Sequence, residues 1–153
     1  MVAAVFTTPA FASNNLETMP LKKLEREARN VGLNGGITCH TVGQGSGCAT
    51  LYMRSIVKEL IARYIPAGNN RDWALCVAGR ESGYNPAAIS PTNDHGVGQL
   101  NKPSHTWVNY NRIAFWYKGR WASDPVYSTK VFVRLSRQGA NRSPWAGGAY
   151  HCP

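Results

Sequence analysis

The chain has 153 residues, 43% hydrophobic and 16% charged, enough for one compact domain with a short appendage and incompatible with long charged disordered stretches. Seventeen Lys plus Arg against eight Asp plus Glu give a net charge of +9, which favours an anionic partner (nucleic acid, membrane surface or acidic polymer) without choosing among them. No run reaches the ~18 apolar residues that a membrane span needs.

In chain order, Val2 to Phe6 is apolar and Ala10-Phe11-Ala12 has the small-x-small form of a secretory cleavage site, making Ser13 the expected mature start. Twelve residues precede that cut with no Lys or Arg among them, so residues 1–12 read as a secretory signal whose start is missing. The alternative is an apolar leader that stays and packs on the fold. Residues 13–49 are expected to form an N-terminal helix and a Cys loop. Pro20 stands at the first helical turn, Leu21, Leu24, Ala28 and Val31 make one apolar stripe, Gly32 ends it, and the basic remainder reads as a solvated face.

Four cysteines in a chain that reads as exported predict two disulfides, with three pairings possible. Cys39 and Cys48 bracket a short glycine-rich loop, so they are expected to pair with each other and Cys76 with Cys152. A zinc site could draw on Cys39, His40, Cys48, His151 and Cys152, but no CxxC or HxxxH spacing supports it. The expectation is no metal and no cofactor.

The body, residues 50–153, begins near Thr50, where Ile56, Val57, Leu60, Ile61 and Tyr64 recur at helical spacing until Pro66 and Gly68. A second helix should start after Asn70 with Asp72 in its first turn, where a carboxylate favours the helix dipole. Trp73, Cys76, Val77 and Arg80 then follow at i, i+3, i+4 and i+7, and Glu81 falls at i+8 on that mostly apolar stripe. Gly83 ends the helix, so Glu81 lies in the last turn, where burial and the dipole both oppose its ionisation. Residues 85–101 are turn chemistry, with a strand end or short helix at Val97-Gly-Gln-Leu-Asn. Residues 104–121 carry Trp107, Tyr110, Phe115, Trp116, Tyr117 and Trp121. Asp124-Pro125 caps a last helix through Val126, Tyr127, Val131 and Leu135 that stops at Gly139. The fold class is mainly α, with at most a small β element near residues 93–100.

Each acidic residue can be placed. Glu17, Glu25 and Glu27 lie among Lys22, Lys23, Arg26 and Arg29, Glu59 sits on the polar side of a core helix, and Asp72 and Asp124 serve helix starts. Glu81 and Asp94 remain. Glycosidic cleavage requires one carboxyl held protonated for the leaving oxygen and one ionised to support positive charge on the sugar, and these two residues have the contrasting settings. The alternatives are a Glu81 paired with Arg80 or Arg71, and an Asp94 that only closes an Asx-turn.

Cys76-Val-Ala-Gly-Arg-Glu81-Ser82-Gly83-Tyr84-Asn85-Pro86-Ala87-Ala88, followed by Gly96-Val97-Gly98-Gln99-Leu100-Asn101, resembles the lysozyme-like superfamily, most closely its soluble-lytic-transglycosylase-type members. Asp124-Pro125, Gly139 and Ser143-Pro144-Trp145 resemble that family's last helix and closing tryptophan, so the likeness covers about residues 50–150. The resemblance implies a lysozyme-like α+β fold, Glu81 as general acid, and a peptidoglycan substrate held by Gln99 and nearby aromatics. Ser82, Tyr84, Gln99, Asn101 and Trp145 are the candidate glycan contacts, Tyr84 foremost. Trp107, Trp116 and Trp145 serve a core more often than a sugar platform. The segment Asn93-Asp94-His95-Gly96, with Cys76 five residues before Glu81, is also similar to animal-type lysozymes, which places Asp94 as a second catalytic carboxylate. Lytic transglycosylases usually lack an aspartate there, and the loop from Glu81 to Asp94 is shorter than in animal lysozymes.

The expected protein is a secreted or wall-associated monomer that cleaves the β-1,4 bond between N-acetylmuramic acid and N-acetylglucosamine, with glycan strands as partner, no nucleic acid and no membrane insertion. The rivals are a non-catalytic glycan-binding or cationic antimicrobial protein, and a nucleic-acid binder, for which no helix-turn-helix or zinc-finger spacing exists.

Overall fold

The computed structural model describes residues 15–37, 49–101, 123–146 and 151–153. The leader, Cys39, His40, Cys48 and the aromatic stretch with Trp107 and Trp116 lie outside the described residues. A 3₁₀ turn at Leu16–Thr18 leads into α1 (Leu21–Val31), followed by a wide turn at Gly32–Gly36. Then come α2 (Leu51–Tyr64), α3 (Asn69–Ser82), the hairpin strands β1 (Asp94–His95) and β2 (Leu100–Asn101), α4 (Pro125–Leu135) and a 3₁₀ turn at Ser143–Trp145. The described fold is mainly α with one small antiparallel hairpin, which is the lysozyme-like class expected.

α2 is the centre of the packing, touching α1, α3 and α4. Its apolar residues form two rows. Met53, Val57 and Ile61 face a cluster with Trp73, Val77, Phe132 and Trp145, while Ile56 and Leu60 face Leu24, Ala28 and Val126. Thr50 caps α2 by accepting from the Met53 N–H at 3.2 Å, and Asp124 caps α4 from the Tyr127 N–H at 2.6 Å.

The basic residues Lys22, Lys23 and Arg26 of the front helix are exposed, as the solvated face expected of it, and its apolar stripe is part of the core. Leu24 and Ala28 are fully buried, each such leucine contributing ~1.5–3 kcal/mol of apolar burial. Its acids are bridges rather than solvated charges. Glu25 accepts from Tyr64 Oη of α2 at 2.7 Å and pairs with Lys130 of α4 at 2.8 Å. Glu27 accepts from Tyr52 Oη at 3.0 Å, and Arg29 donates to Asp124 at 3.2 Å. Sequence spacing identified the apolar stripe, but only tertiary packing shows that α1 is part of the core.

Cys76 of α3 is bonded to Cys152. The bridge closes a separation of 76 residues and ties the C-terminal segment to the helix that carries Glu81. By chain entropy a loop of that size is worth about 4–5 kcal/mol. With Cys152 oxidised, the zinc set loses one of its thiolates. No described helix is long and apolar enough to cross a membrane.

Candidate active site

α3 ends where the sequence requires. Gly83 adopts a left-handed conformation (φ 59°), and the cap N–H groups return to Ala78 and Gly79 carbonyls. Tyr84 is left-handed as well (φ 60°), a rare state for a residue with a Cβ. Its ring lies back along α3, with Oη donating to the Leu75 carbonyl at 3.0 Å. Gly79 makes room for it: a Cβ there would meet Tyr84 Oη at 2.8 Å.

The chain then crosses to the hairpin, where Asp94 pairs with Asn101 and His95 with Leu100. Three ties hold the hairpin to the helices. Ser82, buried at the end of α3, donates to the Val97 carbonyl at 2.9 Å. The Val97 N–H donates to Ser128 Oγ of α4 at 2.8 Å, and Trp145 Nε1 donates to the Gly98 carbonyl at 2.8 Å. Gly98 has no room for a side chain, since a Cβ would lie 2.5 Å from the Phe132 ring. The turn itself is fixed by Gln99, whose Nε2 donates to the Ala88 and Gly96 carbonyls, both at 3.1 Å.

Within this rigid frame the two unassigned carboxylates meet different environments. Glu81 is half-buried, and among the described residues no hydrogen bond or ion pair reaches its carboxyl. Arg71, one of its possible partners, donates instead to the Ile65 carbonyl at 2.8 Å. Burial, and secondarily the charge of Asp94, push the Glu81 carboxyl up to about 7. Asp94 is the opposite case. Burial alone would raise it, but Ser90 Oγ (2.5 Å), Thr92 Oγ1 and Asn101 Nδ2 (2.7 Å) all donate to it, and with His95 nearby they hold it below the usual carboxylate range. Near neutral pH the site therefore carries one carboxyl able to give a proton and one fixed as an anion.

The other expected contacts are placed as follows. Ser82 faces inward and spends its hydroxyl on the Ala78 and Val97 carbonyls. Asn101 holds Asp94 and the Thr92 carbonyl, and the Tyr84 hydroxyl is spent on α3. Trp145 is buried edge-to-face against Trp73 and Phe132, with centroids 5.7 and 5.3 Å away. These residues build and stiffen the site; Gln99 keeps its carbonyl oxygen turned to no described donor. Ser90, Thr92 and Ser128 escaped the sequence analysis. The first two carry a legible signal, hydroxyls four and two residues before an aspartate in turn chemistry.

The model of the family described as the transglycosylase SLT domain matches residues 66–152, a span that contains Glu81, the hairpin, α4 and the disulfide. The chain belongs to this family. No curated protein and no solved structure matches it. Membership brings peptidoglycan cleavage of the lytic-transglycosylase type at the level of the family. The SLT match begins after α2, so α1 and the central helix precede it.

Proposed function

We propose that this SLT-domain chain is an exported enzyme that cleaves the β-1,4 bond between N-acetylmuramic acid and N-acetylglucosamine. The observation that carries the proposal is Glu81: half-buried, without a described partner, held near pKa 7 and facing the charge of a hydrogen-bonded Asp94. Glu81 gives its proton to the bridging oxygen as the bond to C1 breaks and the sugar takes on oxocarbenium character. The resulting carboxylate then takes a proton from the attacking hydroxyl as the new bond to C1 forms. Asp94, kept anionic by three donors, supports the positive charge. The disulfide and the +9 charge suit an oxidising compartment and an anionic wall.

Digestion of purified cell walls, with product masses read before and after reduction, tests the proposal. Water as attacker leaves a reducing end, whereas the substrate's own C6 hydroxyl leaves a 1,6-anhydro sugar lighter by one water. Intact walls after prolonged incubation would overturn it.

A further inference from the structure

A cavity of about 610 Å³ opens at the end of α3 opposite Glu81, between the corner that joins α2 to α3 and the turn that follows α4. That volume falls within the ~300–1,000 Å³ of small-ligand sites. Asn70 stands ~16 Å from Glu81 along the axis of α3, so the chemistry above makes no use of this end. The walls are fixed by backbone contacts. Gly139 packs on α3 so closely that a Cβ would meet the Asn70 carbonyl oxygen at 2.3 Å, Arg71 Nε donates to the Ile65 carbonyl at 2.8 Å, and the Gln138 N–H donates to the Val133 carbonyl at 2.8 Å. Four polar side chains line the cavity: Asn69, Asn70, Arg137 and Gln138. All four are exposed, and none has a hydrogen-bond or ion-pair partner among the described residues. Arg137 and Gln138 are both left-handed, with φ of 46° and 56°. The end of α4 accounts for a left-handed turn here, but glycine adopts that conformation without strain, so the turn does not account for two long polar side chains in it.

These groups select a ligand by their chemistry. An anion only accepts hydrogen bonds, which leaves the three carboxamide oxygens without a donor, and an apolar ligand would strip water from all four side chains. A carboxamide offers both donors and an acceptor, the pairing that hydroxyl and acetamido groups return. Pro66, Ala67 and Ala140 add small exposed apolar surface of the size of an acetamido methyl group. We propose that this cavity is a second, non-catalytic glycan site, which holds an acetamido sugar of a wall strand through Asn69, Asn70, Arg137 and Gln138. The choice of a wall glycan rests on membership of the SLT family, and the site itself rests on the cavity and not on the assignment of Glu81.

The test follows the side-chain amide resonances of the full chain by NMR during titration with N-acetylglucosamine oligomers, in the Glu81→Gln background where glycan is not consumed. The Asn69, Asn70 and Gln138 amide signals are expected to shift with the oligomers and to stay in place with inorganic phosphate and with stem peptides released from walls by an amidase. Shifts with phosphate or peptide but not with the oligomers, or with none of the three, overturn the proposal. Adding Arg137→Gly and Gln138→Gly removes two of the binding side chains and relieves two left-handed residues. A purely structural role predicts a chain at least as stable that binds as before. The proposed site predicts the same or a higher Tm together with about 10-fold weaker binding of the oligomers at the Asn69 and Asn70 signals, the loss expected for two hydrogen bonds. Asn69→Ala, at an exposed and unpaired position, is a second variant expected to weaken the same titration about 5-fold. Full affinity in both variants overturns the proposal. Wall cleavage by the wild type is measured separately: oligomer binding at these amides without wall cleavage refutes the reading of Glu81 alone, and wall cleavage with these amides unmoved refutes this site alone.

Discussion

Replacing Glu81 by glutamine should stabilise the protein, and only above a defined pH. The wild-type carboxyl is held at about 7 against an ordinary value of 4.5, because folding removes it from water and sets it near Asp94. A folded-state pKa above the unfolded one means that stability is fully present below about 4.5 and is lost as pH rises through about 7, where the folded protein carries an ion that it disfavours. At full burial the penalty would be about 3 kcal/mol. Glu81 is partly open to water, and screening reduces this to about 1–2 kcal/mol. Glutamine has nearly the same shape and never ionises. Thermal unfolding of both proteins should therefore give matching Tm values near pH ~4 and a variant that melts about 3–6 °C higher near pH ~8. A difference that is the same at both pH values, or a variant less stable at the higher pH, would refute the argument that burial and Asp94 keep this carboxyl protonated.

Three further outcomes follow from the same contacts. Asp94→Asn removes the charge that helps raise Glu81, so the alkaline limb of the pH–rate profile should move to lower pH while turnover falls; an unmoved limb would mean that the two carboxylates do not interact. Gly98→Ala should cost about 1–3 kcal/mol in denaturant unfolding, because the added methyl meets Phe132 at 2.5 Å, and a neutral effect would show that the hairpin can yield. Removing the Cys76–Cys152 bridge as a double alanine variant should cost several kcal/mol, about 4–5 by chain entropy, read as a large drop in denaturation midpoint; an unchanged midpoint would show that the C-terminal segment is held by other contacts.

The helices were legible because their signals are local. Asp124 as a cap, Gly83 as a stop and the apolar spacing of α2 and α3 each involve residues within a turn or two of one another. The position of Glu81 at the end of an apolar stripe was legible for the same reason, whereas its burial and the nearby charge of Asp94 depend on how the chain packs around α3. What escaped depends on partners distant in sequence. Leu24 of a basic helix is buried only because α2 and α4 meet it, and Ser128 reaches Val97 across 31 residues. Ser82, Tyr84 and Trp145 lie in segments that resemble the family. Their polar atoms are turned to backbone carbonyls, a direction that no sequence pattern encodes.

The most direct test of the catalytic assignment is wall digestion by Glu81→Gln beside wild type, with binding of the same walls measured in parallel. Wild type should release soluble muropeptides, while the variant should bind the walls equally well and release almost none, because the group that protonates the bridging oxygen is gone. Wall cleavage by Glu81→Gln at the wild-type rate would contradict the assignment and leave a basic, wall-binding protein as the better description.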